Sequence, residues 1–267
     1  MNVCIIGAGN VATHMAKALS GTAYNIIAIY SRTLSHAQAL AQATHVTLAT
    51  NDLMQLPVAD VYLFALKDDV LHHVAQMLTH NPQATQGLWV HTAGTLPLDV
   101  LPHNRLTAVL YPLMTFSKEA NIHFHSLPLF IEGCNNEAYR QTELLARALS
   151  THVTRMTSAQ RKHLHLAAVF ANNFTNHCCT LAYHLLSQQG IDPQCLQPII
   201  DETAHKLRHM QPQQAQTGPA RRWDVKVMNE QLQSLSNEPE LQRIYQLMSN
   251  SIHQFAQQPT QDEATTE

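Results

Sequence analysis

The sequence predicts an α/β protein in which a doubly wound parallel sheet is followed by an all-helical C-terminal domain. The first observation is an apolar segment, residues 3–6, that runs directly into Gly-x-Gly-x-x-Ala and then into an amphipathic helix. The second is the alternation of strand-like and helix-like segments as far as residue 157. The third is the end of strand signals at Ser158, after which only helical periodicity continues, to about residue 256.

The turn over residues 7–12 is typical of a dinucleotide-binding Rossmann domain. Gly7 permits the tight turn, Gly9 removes a side chain that would block a pyrophosphate, and Ala12 lets the helix pack closely on the sheet. Free N–H groups at the helix start favour an anion. The cofactor is therefore expected to contact Gly7, Ala8, Gly9, Asn10 and Val11. The alternative is a strand-to-helix turn that binds no ligand.

The predicted second strand, residues 25–30, ends in Ser31 and Arg32. A site that prefers NAD usually carries an acidic residue here, which holds the ribose 2′-hydroxyl. An arginine beside a hydroxyl instead suits a 2′-phosphate, because the guanidinium can bind it through two N–H groups. Ser31 and Arg32 therefore predict NADP, as NADPH, rather than NAD. The alternative is a solvated arginine in a polar loop.

The other elements of the first domain follow in order. A short alanine-rich helix over 35–43, with Ser35 as its N-cap, precedes a brief third strand at 45–48. The apolar segment 60–66 predicts a central strand that is covered on both faces. The remaining predictions are a helix at 70–78, strands at 88–90, 106–110, 127–133 and 152–156, and a helix at 136–149.

The ends of the fourth and fifth strands supply further candidate cofactor contacts, because open α/β sheets hold ligands at the carboxyl edge. We expect Ala65, Leu66 and Lys67 to contact the cofactor after the fourth strand. Thr92, in the turn 91–95, is expected beside the nicotinamide ribose. The alternative is that Thr92 only helps to form the turn and does not contact a ligand.

The C-terminal region is predicted to be helical throughout, with a first helix from Ser158 to about Gln189. The predicted domains are 1–157, a Rossmann domain, 158–256, a helical substrate and dimerisation domain, and 257–267, a disordered polar tail. Within the helical domain we expect a second helix at 195–209, a loop at 211–219 and amphipathic helices over 227–235 and 241–255. Apolar faces on every helix predict a homodimer through this domain.

Candidate catalytic residues lie on the long helix. At about 100° per residue, His165, Asn172 and Asn176 share a narrow arc, with Asn173 near its edge. If this polar stripe faces the nicotinamide, His165 can relay a proton and the amides can hold a carbonyl or imine. Alternatively, the stripe is a buried hydrogen-bonded seam with a partner helix.

A second polar cluster, residues 217–224, adds Thr217 to the candidates. In one interpretation a flexible loop lays Thr217 and Arg221 over an anionic substrate. In the other, Pro219 begins a helix and the arginines are solvated. The sequence leaves both open.

The composition excludes several other classes of function. The 267 residues are 13% charged with a net charge of −3, so no electrostatic footprint for nucleic acid or an anionic membrane is present. Residues 3–6 form a core strand rather than a leader, and no apolar run reaches the roughly 18 residues of a membrane span. The eighteen histidines show no zinc spacing, so no metal is expected. Five cysteines without Cys-x-x-Cys fit buried reduced thiols in a cytoplasmic protein, Cys178 and Cys179 included.

The whole chain resembles a bacterial family that joins an NADP-oxidoreductase-like Rossmann domain to a helical C-terminal domain of unknown function. The matching segments are 7–12, 30–32, 111–117, 165–174 and 217–221. The wider superfamily to which it is similar includes pyrroline-5-carboxylate reductases and the 6-phosphogluconate and β-hydroxyacid dehydrogenases, whose helical domains commonly dimerise and complete the active site. The resemblance implies an NADP(H)-dependent oxidoreductase that acts on a small C=O or C=N metabolite bound between the two domains.

One departure from that superfamily limits the analogy. The β-hydroxyacid dehydrogenases carry a lysine followed four residues later by asparagine, whereas Leu166 stands four residues after Lys162 here. A reductase without a dedicated lysine fits better. The alternative is a non-catalytic protein that senses NADP(H) or a metabolite. A methyltransferase is disfavoured, because no acidic residue ends the second strand to hold the ribose hydroxyls.

Overall fold

The computed structural model describes residues 1–118 and 120–258. Its chain forms two compact units, Met1–Asn173 and Phe174–Glu267, which are described separately. The predicted Rossmann domain ends at residue 157, where the strand pattern of the sequence stops. The contacts within the structure, however, group the next helix, Ser158–Ala168, with the first unit. The predicted disordered tail lies outside the described residues from position 259 onward.

The first unit is built on one eight-stranded sheet. Its strands are β1 Asn2–Ile6, β2 Asn25–Tyr30, β3 Leu48–Thr50, β4 Val61–Phe64, β5 Leu88–His91, β6 Leu106–Pro112, β7 Leu129–Gly133 and β8 Val153–Arg155. The spatial order is β3-β2-β1-β4-β5-β6-β7-β8. All neighbours are parallel except β6 and β7, which pair antiparallel. The predicted doubly wound parallel sheet is confirmed, and it contains this one antiparallel pairing.

The helices of the first unit cover both faces of the sheet. They are α1 Asn10–Leu19, α2 Leu34–Thr44, α3 Asp68–Leu78, α4 Asn136–Arg147 and α5 Ser158–Ala168. Alternate residues of each central strand enter opposite cores, so that Ile5 and Leu63 lie in one, and Ile6 and Phe64 in the other. Covering both faces explains the nearly continuous apolar runs of these strands.

Two local predictions around α2 are wrong. The helix begins at Leu34, so Ser35 lies inside its first turn and Thr33 precedes it without a side-chain cap. The third strand begins at Leu48 rather than at residue 45, because His45 ends α2 in a left-handed conformation, φ 57°. The Val46 N–H then still donates to the Ala41 carbonyl, 2.9 Å away. The helix cap therefore uses residues that the apolar pattern assigned to the strand.

The predicted long helix is interrupted. It begins as α5 with a capping box in which the Thr157 and Gln160 side chains bond reciprocally to the backbone. After Ala168 the chain forms a π-helical turn, Val169–Phe174, before α-helical geometry resumes. A π turn carries one residue more than an α turn, so the uniform spacing of about 100° per residue does not hold in this segment. The predicted arc of His165, Asn172 and Asn176 therefore does not continue through this segment.

The second unit is helical over its described part, as predicted. Its helices are α6 Thr175–Gln188, α7 Gln197–Lys206, α8 Pro212–Ala215, α9 Pro219–Arg222, α10 Val225–Ser234 and α11 Pro239–Ala256. The predicted loop at 211–219 contains α8 and the start of α9. All residues of α6 and α7 are described, and none of them is buried. Cys178 is exposed and Cys179 half-buried, so the expectation that both are buried is wrong.

Candidate functional site

The glycine turn after β1 has the geometry that a dinucleotide requires. Gly7 has φ 124°, and a Cβ there would collide with the Ala65 carbonyl oxygen, so the turn packs directly against the end of β4. At Gly9, by contrast, a Cβ would meet no atom within 4 Å. Gly9 is also the N-cap of α1 and supplies no side-chain cap. The first turn of α1 therefore leaves its N–H groups and the space before them to an anion.

The motif predicts that Asn10 contacts the cofactor, but in the structure its side chain is bonded to the protein. Its side-chain Nδ2 donates to the Phe116 carbonyl, 2.7 Å away, and is held by the segment that follows β6. The buried His14 ring bonds the neighbouring Ser117 carbonyl, also at 2.7 Å. Asn10 can therefore offer an anion its backbone N–H, while its side chain fastens α1 to residues 116–117.

The other predicted cofactor contacts lie along the same carboxyl edge of the sheet. Ser31 and the exposed Arg32 follow β2, and the Ser31 N–H donates to the Thr50 carbonyl at 3.0 Å. Burial raises the pKa of Tyr30, and the positive charge of Arg32 opposes that shift. Ala65, Leu66 and Lys67 follow β4, and Thr92 follows β5. The edge thus presents these residues on both sides of the point between β1 and β4, where the strand order reverses.

Tyr111 and His165 form a hydrogen-bonded pair at the end of β6. The Tyr111 hydroxyl lies 3.0 Å from His165 Nδ1, and the rings meet edge to face with centroids 6.0 Å apart. Tyr111 is 8% exposed and His165 half-buried. Burial raises the pKa of Tyr111, Arg161 lowers it and Asp68 raises it. The tyrosine therefore keeps its proton, and its hydroxyl can donate to Nδ1 or accept from Nδ1–H, according to the tautomer of the ring.

Gly94 makes the close approach of this pair possible. A Cβ at Gly94 would lie 2.7 Å from His165 Nδ1 and 2.9 Å from the Tyr111 ring, so any larger residue would displace one of them. In the same turn, the Thr95 hydroxyl donates to the Asp68 carboxylate at the start of α3. The turn after β5 thus lies directly against the Tyr111–His165 pair.

A buried charged network lies one turn earlier on α5. Arg161 is 1% exposed, and its Nη1 donates to Glu132 Oε2 at 2.6 Å. Its Nη2 donates to the Leu96 carbonyl at 2.5 Å and to Ser158 Oγ at 3.2 Å. Arg161, Glu132, Ser158 and the Leu96 carbonyl are called the Arg161 network below. It ties α5 to β7 and to the turn after β5.

His91, the last residue of β5, is fully buried beside this network. Its Nδ1 accepts a hydrogen bond from the Ala93 N–H at 3.2 Å, while its Nε2 has no partner among the described residues. Burial, and then the charge of Arg161, lower the pKa of His91 to about 3, and the Pro97 carbonyl opposes the shift. The imidazole is therefore neutral at neutral pH.

The remaining predicted catalytic residues lie in the π turn and in the second unit. Asn172 and Asn173 lie in the π turn and are exposed. Thr217 belongs to the second unit, where its carbonyl accepts a hydrogen bond from Gln216 Nε2 at 2.9 Å. Arg221 Nη1 donates to the Gln216 carbonyl at 2.6 Å, which stabilises the turn before α9.

The sequence analysis missed Tyr111, Glu132 and Arg161 as functional candidates. The sequence does hint at each of them. Tyr111 and Glu132 are polar residues within otherwise apolar strands, and Arg161 precedes His165 by one helical turn. Among residues 1–118 and 120–258, no His, Cys, Asp or Glu cluster could hold a metal, and no helix is long and apolar enough to cross a membrane.

Comparison with known proteins identifies both parts of the chain. Residues 2–90 match the family model described as NADP oxidoreductase coenzyme F420-dependent, and residues 127–252 match a domain of unknown function, DUF2520. The crystal structure of a presumed NADP oxidoreductase from Bacteroides fragilis is 41% identical, covers 95% of this chain and 98% of its own, and gives a TM-score of 0.87. No curated protein matches.

More distant structures share the fold. The protein TM1727 from Thermotoga maritima is 20% identical, covers 99% of this chain and 100% of its own, and gives a TM-score of 0.74. A 1-pyrroline-5-carboxylate reductase from Streptococcus pyogenes is 13% identical, covers 95% of this chain and 98% of its own, and gives a TM-score of 0.61. At these identities the likeness concerns architecture alone.

Proposed function

Because the chain belongs to the family that joins an NADP-oxidoreductase domain to the DUF2520 helical domain, we propose that it is an NADP(H)-dependent reductase of a small C=N or C=O metabolite. The observation that carries the proposal is the Tyr111–His165 pair, held against Gly94 at the carboxyl edge of the sheet. At this edge a doubly wound sheet presents its nicotinamide.

The residues present fit the dinucleotide. Gly9 offers open space at an uncapped helix start, and the exposed Arg32 follows β2 where no acidic residue stands. We assign the pyrophosphate to the turn 7–11 and the 2′-phosphate to Ser31 and Arg32. Residues 65–67 and Thr92 would contact the nicotinamide end. When bound, NADPH supplies the hydride that reduces the substrate carbon.

His165 is proposed as the proton donor for the reduced nitrogen or oxygen. The proton donor is the imidazolium form, which carries a proton on each ring nitrogen. Its Nδ1–H donates to the Tyr111 oxygen, and its Nε2–H passes to the substrate, which leaves a neutral imidazole. The Tyr111 hydroxyl orients the ring in both forms. In the opposite reaction direction the same nitrogen accepts the proton. Asn172, Asn173 and Thr217 remain proposed substrate contacts.

The test is NADPH oxidation by the purified protein with a panel of small cyclic imines and 2-keto acids. His165→Asn should reduce turnover by roughly 10²–10⁴-fold with little change in NADPH affinity or melting temperature. His163→Asn is the matched control, because that exposed histidine bonds only the Ala159 carbonyl of its own helix in the described structure. An early-melting His165→Asn protein, or one with normal turnover, would return His165 to a structural role.

A sensing protein is the alternative outcome of the same experiment. It would bind NADPH through the same glycine turn but oxidise it with no member of the panel. The five free cysteines support a reducing compartment such as the cytoplasm for either function.

We further propose a homodimer through the second unit. Several of its large apolar side chains are more than half exposed, among them Ile199 at 64%, Leu247 at 71% and Phe255 at 60%. Helix α6 carries no Asp, Glu, Lys or Arg, so no like charges oppose pairing with a second copy about a two-fold axis. Light scattering at micromolar concentration should give a dimer mass that Leu247→Glu lowers. A monomeric wild-type protein would contradict the proposal.

A further inference from the structure

We propose that Arg161 is a positioning residue whose buried guanidinium fixes α5 on the sheet and thereby holds His165 against Tyr111. The catalytic meaning of this arrangement rests on the function proposed above. The positioning itself does not, because it can be measured on the His165 ring in the absence of any substrate.

The Arg161 network joins three separate elements through one side chain. The guanidinium donates to Glu132 on β7, to the Leu96 carbonyl in the turn after β5, and to Ser158 in the first turn of α5. Ser158 in turn donates to Glu132 at 2.7 Å and accepts from the Leu98 N–H at 3.0 Å. The network therefore fixes both the rotation and the height of α5 above β5–β7.

His165 follows Arg161 by one helical turn, so both lie on the same face of α5, about 6 Å apart along the axis. The His165 ring is tightly packed. Its Nδ1 bonds Tyr111 on one side and lies against Gly94 on the other, with no room for even one methyl group. A small rotation of α5 would therefore either break the bond to Tyr111 or press the ring into the turn.

Stability alone does not account for a charged pair in this place. Taking Arg161 and Glu132 out of water costs free energy, and apolar residues of similar volume commonly replace such pairs without loss of stability. The buried Arg161 Nε, moreover, has no partner among the described residues, which is a further cost. What an apolar side chain lacks is direction, since the planar guanidinium binds its acceptors only in a fixed geometry.

The experiment compares two variants of the network by the ring ¹⁵N chemical shifts of His165, measured by NMR of the full chain with labelled histidine at one fixed pH. His165→Asn assigns the resonances, and Tyr111→Phe gives the shifts of a His165 that has lost its hydrogen bond.

The double variant Arg161→Met/Glu132→Leu removes both charges and should fold with a melting temperature near that of the wild type. We expect its His165 ring shifts to move to those of Tyr111→Phe, and turnover to fall about 10–100-fold at unchanged NADPH affinity. Lys162→Met is the matched control, because it removes an exposed charge from the same helix. A folded double variant with the wild-type His165 ring shifts would overturn the proposal.

Arg161→Lys keeps the positive charge but not the planar set of donors. It therefore tests the positioning role of the guanidinium if the double variant fails to fold. Positioning predicts that lysine does not restore the wild-type behaviour, and that the His165 ring shifts again move towards those of Tyr111→Phe. A Lys variant with wild-type ring shifts and wild-type turnover would show that charge alone suffices, and would refute the proposal. If the wild-type protein reduces nothing, the NMR comparison still tests the positioning, and only the proposed function fails.

Discussion

The two halves of the carboxyl edge in the first unit are built in opposite ways. On the half formed by β1 and β2, the turn at Gly9 is open and Arg32 is exposed, so that backbone N–H groups and the Arg32 guanidinium face the surroundings. On the half formed by β5 and β6, Gly94, Tyr111 and His165 are packed against one another with no free space. Behind them His91 and Arg161 are completely covered.

The difference follows from what each half is proposed to do. A dinucleotide brings its own shape and charge, so its site needs only an uncapped helix start and room. A proton donor must instead be held in a single orientation, and this is achieved by neighbours from several elements. Predictions that separate the two halves therefore test the assignment of the edge.

The largest effect is expected from pH, through His91 in the covered half. The pKa of His91 is lowered to about 3, whereas in the unfolded chain it lies near 6.5, so the unfolded state binds the extra proton first as pH falls. Stability should therefore decline below pH 6.5 and the loss should saturate near pH 3, at no more than about 4–5 kcal/mol. Urea unfolding between pH 7 and pH 4 measures the decline.

His91→Asn isolates this contribution, because an amide oxygen can still accept the Ala93 hydrogen bond but does not titrate in this range. The variant should lose less stability on acidification than the wild type. His36→Asn, at an exposed position on α2, should leave the slope unchanged. If the free energy of unfolding fell equally with pH in the wild type and in His91→Asn, then water would reach the region behind the Tyr111–His165 pair.

The next largest effect is expected from substitutions of Gly94 and Gly9, which should change different properties. Gly94→Ala inserts a methyl group 2.7 Å from His165 Nδ1, so it should displace the pair and lower turnover about 10²-fold, while NADPH affinity is kept. Gly9→Ala meets no protein atom, so the free protein should melt normally, but the methyl group would occupy space assigned to the pyrophosphate. NADPH titration beside turnover reads out both variants. The reverse pattern would exchange the roles of the two halves.

The contrast also explains how much could be predicted from the sequence. The open half follows from local rules: Gly7 and Gly9 sit in a short motif, and Arg32 ends a strand that the apolar pattern reveals. The packed half depends on pairing between distant segments, since Tyr111 meets His165 only after α5 settles on β5–β7. His165 was found because it is polar on an apolar helix. Its partner, and the network that holds it, were not.

Three details of the fold could not be read from the sequence. The antiparallel pairing of β6 and β7 and the π turn at 169–174 leave the apolar periodicity of each segment almost unchanged. His45 caps α2 in a left-handed conformation that few residues other than glycine and asparagine signal in a sequence. The strand pairing depends on contacts between distant segments, and the cap depends on a backbone conformation that His45 signals only weakly.

The smallest effect concerns the open half and the choice of cofactor. Arg32→Ala should weaken NADPH binding by about tenfold or more, since a charge-assisted hydrogen bond is worth roughly 1.5–3 kcal/mol, and should leave NADH binding nearly unchanged. Arg32→Lys should recover part of the affinity, because an ammonium attracts the 2′-phosphate but binds it through a single point. Titration of both cofactors against the three proteins, at two salt concentrations, measures the preference, and the Arg32 contribution should shrink in high salt because the residue is exposed. Equal affinity of the wild type for NADPH and NADH would remove Arg32 from the cofactor site while leaving the glycine turn in place, because the pyrophosphate and the 2′-phosphate are assigned to different strands.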